Sequence, residues 1–129
     1  MSKLLRSGEG ALPKTKKVAV LVVEDVPQAR ATAVSIMEDL GCEVFDAYNG
    51  QQALELLQAH PEIEVLFADV RMPGMSGTEL AEAAQRLRPD LRIVLTSGSV
   101  GPQDMPAHIP FVPKPWRVDA LAEVVTHLH

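Results

Sequence analysis

Three carboxylates, two hydroxyls and one amine stand at the ends of apolar runs in this chain. "VLVVED" ends in Glu24 and Asp25, "VLFAD" in Asp69, "IVLTS" in Thr96 and Ser97, and "FVPK" in Lys114. Brought together, these groups would suit a metal-assisted phosphate site. Clustered acids repel one another, and their pKa values rise unless a cation shares the site. Hard oxygen ligands at that density suit Mg2+, which keeps some of its waters and recruits phosphate oxygens. Lys114 would add a compact positive charge for a phosphoryl oxygen. Each residue also has a plainer reading. Asp69 is a turn former rather than a nucleophile, and Glu24-Asp25 a solvated pair favouring the next helix through its dipole. Thr96 and Ser97 satisfy backbone groups, and Lys114 snorkels over an apolar surface. Only the placement of all six by the fold separates the two accounts.

The elements that must position them follow from the apolar pattern. "KVAVLVV" (17–23) is a buried strand by its unbroken aliphatic run. Over 27–40, Ala29, Ala33, Ile36, Met37 and Leu40 recur at helical spacing, and Gly41 stops the helix. "EVFDA" (43–47) is a second strand. Asn49 caps a helix carrying Ala53, Leu56 and Leu57 that ends near Pro61. "EVLFA" (64–68) is the third strand. Ser76 and Glu79 form a capping box before a helix whose inner face is Leu80, Ala83, Ala84 and Leu87. "LRIVLT" (91–96) and "IPFV" (109–112) are strands four and five, and Leu121, Val124, Val125 and Leu128 mark a last helix. Such alternation implies a parallel sheet with helices on both faces. The interval "SGSVGPQDMPAH" (97–108) is the exception, because its prolines and glycines leave room only for a loop or a single helical turn. In an open parallel sheet, ligands sit beyond the carboxyl ends of the strands. All six candidate residues fall at those ends.

Length and composition narrow the function. With 129 residues the chain suits one domain with a real core and is too short for two. A formal net charge of −5 argues against nucleic-acid binding. The longest apolar run, 18–23, is far too short to span a membrane. Residues 1–16 read as a flexible N-terminal arm and 17–129 as the domain. Cys42 is the only cysteine, which fits a reducing cytoplasm, and the four histidines make no metal pattern.

Taken together, "VLVVED", "LFADVRMPGMSG", "IVLTSG" and "FVPKPW" resemble the receiver domain of two-component response regulators, over roughly residues 16–129. The resemblance implies a five-stranded α/β fold of flavodoxin-like order 2-1-3-4-5. It implies Asp69 as phospho-acceptor, carried out of the core to attack a phosphoryl group. Glu24 and Asp25 would be the acidic pair binding Mg2+, with Arg71 adding a ligand through its backbone carbonyl. It implies Ser97, rather than Thr96, as switch hydroxyl, Phe111 as switch aromatic, and Lys114 as the phosphoryl-stabilising lysine before Pro115, in a bond usually cis. The partners implied are a histidine kinase or a histidine phosphotransfer protein and a downstream protein target. The domain would be no enzyme beyond its own phosphorylation and dephosphorylation.

This chain departs from the pattern at Glu24, often an aspartate, at Phe111, more familiarly a tyrosine, and in the missing helix between strands four and five, which belongs to the usual signalling face. Such shortened crossovers resemble receivers of hybrid histidine kinases or stand-alone relatives, and with no effector domain expected to follow, both stay open. A phosphohydrolase with an aspartyl nucleophile would carry D-x-D, but Arg71 holds the second position. A nucleotide- or flavin-binding module would need a Gly- or Ser/Thr-rich loop where this chain has "EDVPQ".

Overall fold

The aliphatic run after Val18 forms β1 (Ala19–Val23), buried along its whole length. The same holds for β3 (Val65–Asp69), and for β4 (Arg92–Ser97) after its first residue. With β2 (Glu43–Ala47) and the short β5 (Phe111–Pro113) at the edges, they make a parallel five-stranded sheet ordered β2-β1-β3-β4-β5. The flavodoxin-like order expected from the sequence is the one observed. Strands covered on both faces read as continuous apolar runs, whereas edge strand β2 mixes in Glu43 and Asp46. This computed structural model describes residues 17–99 and 101–126. The expected arm over 1–16 and Leu128 of the last helix lie outside the described residues.

The helices are α1 (Pro27–Asp39), α2 (Gly50–Ala59), α3 (Gly77–Leu87) and α4 (Val118–Thr126). Their ends obey local rules. Gly41 takes φ +93°, open to glycine at little cost, and ends α1. Asn49 Oδ1 accepts the Gln52 N–H at 2.8 Å, capping α2. At α3, Ser76 Oγ accepts the Glu79 N–H at 3.1 Å and Glu79 Oε1 accepts the Ser76 N–H at 2.9 Å.

Two aliphatic layers result. Leu57 of α2 and Leu80 and Ala84 of α3 pack on Leu21, Leu66 and Leu95. On the other face, Ala33 and Met37 of α1 and Leu121 and Val124 of α4 pack on Val20, Val22, Phe67 and Val94. One expected inner residue is corrected. Leu87 is 39% exposed, and Ala81 is buried instead. The inner stripe of α3 continues from Ala84 to Arg88, whose guanidinium reaches across to the carbonyls of Leu57, Pro61 and Ile63.

Between β4 and β5 the described residues form a single 3-10 turn, Pro102–Asp104, in keeping with the prolines there. Ile109 and Met105 cover the core there in place of a helix. Among the described residues no helix is long and apolar enough to cross a membrane.

Candidate metal and phosphoryl site

Parallel pairing brings the carboxyl ends of the strands to one edge of the sheet. Glu24 extends the β1 ladder, its N–H donating to the Ala47 carbonyl at 3.1 Å, and is 1% exposed. Asp69 is the last residue of β3 and is 5% exposed. Asp25 is half-buried. One carboxylate oxygen from each of the three lies within 4.8 Å of the others. Lys114 closes the group, its Nζ donating to Glu24 Oε1 at 2.6 Å and to Asp69 Oδ2 at 3.0 Å. The second oxygen of each of these two is also held: Glu24 Oε2 accepts the Val26 N–H at 3.2 Å, and Asp69 Oδ1 the Arg71 N–H at 3.1 Å.

One expectation changes, and one of the plainer readings falls. Asp69 is not carried clear of the core but stays buried at its rim, because Lys114 and the Arg71 N–H satisfy both its oxygens inside. Glu24 is no solvated turn residue. Burial pushes its carboxyl above the ordinary range, the Lys114 and Val26 bonds pull the other way, and repulsion from Asp69 is a lesser upward push. For Lys114, burial draws the ammonium down, but its bonds to Glu24 and Asp69 outweigh burial and the net shift is upward. Three carboxylates, two of them buried, form a donor set that fits a hard divalent cation. The lysine supplies positive charge to two of the three.

The hydroxyls diverge. In the register of β4 and β5, Leu95 faces Phe111 and Ser97 faces Pro113. Strand alternation therefore puts Ser97 on the same face as Leu95 and Phe111, and Thr96 on the opposite one. Both are buried, and Phe111 packs partly buried on the α2–α3 layer. Ser97 Oγ accepts the Ser99 N–H at 3.1 Å. Thr96 Oγ accepts the indole N–H of Trp116 at 2.8 Å instead of serving the backbone. The Lys114–Pro115 bond is cis, as the resemblance implied. Arg71 projects to solvent, while its backbone lies against the Asp69 carboxylate.

Two neighbours had no role in the sequence reading. Arg30 donates to the Glu24 carbonyl at 2.9 Å and pairs with Asp46 at 3.3 Å, tying α1 to the ends of β1 and β2. Trp116 stands beside Lys114. Its position in "FVPKPW" was visible, but the direction of its ring was not.

Gly77 sets the floor of the site. Its N–H donates to the Val70 carbonyl at 2.9 Å, and a Cβ there would collide with the Asp69 carbonyl and the Val70 backbone. Because the obstacle is main chain, Gly77→Ala should cost about 1–3 kcal/mol. Urea unfolding would measure it, and unchanged stability would show that α3 can shift without disturbing Asp69.

The family model described as response regulator receiver domain matches residues 20–126. Over 126 residues, covering 93% of this chain and 13% of the relative, the sequence is 29% identical to the sensor kinase CckA of Brucella abortus. It is 38% identical over 79 residues to the response regulator receiver protein CpdR of the same organism, covering 61% of this chain and 65% of the relative. The chain thus spans less than two thirds of either curated relative. Among solved structures, a response regulator receiver protein from Pseudomonas putida superposes with TM-score 0.77 at 25% identity, over 85% of this chain and 96% of that one.

Proposed function

The chain belongs to the response regulator receiver domain family, and from that premise we propose that it accepts a phosphoryl group on Asp69. The donor would be the phosphohistidine of a histidine kinase or a histidine phosphotransfer protein. An Asp69 carboxylate oxygen attacks phosphorus, the P–N bond breaks, and the imidazole leaves with a proton, so that an acyl phosphate remains on the domain. The carrying observation is the convergence of Glu24, Asp25 and Asp69 within 4.8 Å, with Lys114 bonded to two of them.

Glu24, Asp25, Asp69 and the Arg71 backbone carbonyl would hold Mg2+, which when bound offsets the charge of the acids and of the incoming phosphoryl group. Lys114 leaves Asp69 Oδ2 and holds a phosphoryl oxygen. Ser97 would offer its hydroxyl to another. Ser97 and Phe111 share one face of the sheet, where Met105 of the 97–108 crossover packs, so the crossover is where phosphorylation would alter protein contacts. Beyond its own phosphorylation and dephosphorylation we assign no catalysis. The buried lone Cys42 suits a reducing compartment such as the cytoplasm. A second reading, the receiver segment of a hybrid histidine kinase, is favoured by the similarity to part of a sensor kinase.

Intact mass after incubation with acetyl phosphate and Mg2+ tests the proposal. One added phosphoryl group is expected. No gain with acetyl phosphate or with a phosphohistidine donor would refute it.

A further inference from the structure

Trp116, the only tryptophan of the chain, lies two residues beyond Lys114. Its N–H is aimed at the buried hydroxyl of Thr96 on β4, at 2.8 Å. Its ring leans on Phe67 of β3, with centroids 5.7 Å apart and planes tilted by 59°. Lys114 Nζ sits 5.4 Å from the centre of the same ring while bonded to Glu24 and Asp69. Trp116 is partly buried against the α1–α4 layer, and its N–H donates to the buried Thr96 hydroxyl, so that bond fixes the rotation of the ring in a way that packing alone does not. An ammonium at this distance is attracted to the ring face. The same ammonium therefore touches the ring face and both carboxylates at once.

We propose that Trp116, oriented by Thr96, is the positioning residue for Lys114. It holds the ammonium at the edge between Glu24 and Asp69, where a phosphoryl oxygen would arrive; this last step rests on the reading of Asp69 as acceptor. Two effects of opposite sign follow. Lys114 competes with Mg2+ for Glu24 and Asp69, so a loosened lysine lets Mg2+ bind more tightly. The same loosening weakens binding of a phosphoryl mimic, which needs the ammonium in place.

The test measures Mg2+ binding by calorimetry and beryllofluoride binding at saturating Mg2+. Three variants are used: Thr96→Val, which removes the acceptor, Trp116→Phe, which keeps an aromatic face without the N–H, and Trp116→Leu, which removes both. Mg2+ should bind about two- to fivefold more tightly and beryllofluoride about fivefold more weakly, with Trp116→Leu the strongest case. A Trp116 that only fills space would lower both affinities together or change neither, and either result overturns the proposal. Should Trp116→Leu fail to fold, Thr96→Val and Trp116→Phe decide. If the wild type takes up no beryllofluoride, the Asp69 reading falls separately. The Mg2+ arm still settles the role of Trp116, since tighter binding supports it and unchanged binding refutes it.

Discussion

Asp69→Asn will take up no phosphoryl group from acetyl phosphate and Mg2+ under conditions that label the wild type. The substitution keeps the side chain's shape but replaces the attacking oxyanion with an amide, so labelling should fall by about a thousandfold or more. The local structure explains why the fold should survive. An Asn oxygen can still accept the Arg71 N–H that Asp69 Oδ1 accepts now, and Lys114 keeps Glu24 as its partner. What is lost is the charge-assisted bond from Lys114 to Asp69, about 1–3 kcal/mol for a buried group. Intact mass and circular dichroism on the same sample check both halves. Stoichiometric labelling of a folded Asp69→Asn protein would move the acceptor to Glu24 or Asp25.

Chelating Mg2+ should slow labelling about a hundredfold or more, because a metal supplies several kcal/mol of charge stabilisation to phosphoryl transfer. Without it, three carboxylates face an anionic donor with one ammonium among them, and that ammonium already serves Glu24 and Asp69. Asp25→Ala separates metal binding from folding. Asp25 is half-buried at the mouth of the site, while Lys114 pairs with its two neighbours. Its removal should weaken Mg2+ binding and labelling together and change stability by less than about 0.5 kcal/mol, or raise it slightly by relieving repulsion. Calorimetric Mg2+ titration beside a labelling time course gives both numbers. A labelling rate indifferent to the chelator would exclude the metal from the site.

Most of the fold was legible because its signals are short-range. The runs that become β1, β3 and β4 are apolar throughout since both faces of each strand are covered. Asn49 caps Gln52, and Ser76 and Glu79 cap each other, across three residues. Gly41 needs only its own backbone to end α1. The prolines of 97–108 exclude a full helix before any tertiary contact forms. The inner face of α3 was legible only in part. Periodicity names a stripe but not its far end, and Arg88 decided that end by crossing to carbonyls at positions 57, 61 and 63.

By itself the sequence determined which residues stand at the carboxyl ends of the strands, and so which types of group can meet there. The choice of partners came from the tertiary structure. Lys114 reaches Glu24 across 90 positions and Asp69 across 45, and Trp116 reaches Thr96 across 20. Thr96 and Ser97 are adjacent hydroxyls, equivalent in composition. Only the register of β4 against β5 turns one toward Trp116 and the other toward the face of Phe111. Burial of Asp69 and Glu24 was likewise settled by the lysine that satisfies them, because a carboxylate stays in a core only where a charged partner offsets its desolvation. Local patterns depend on contacts within a few residues, whereas side-chain partners depend on register and packing that exist only once the sheet has closed.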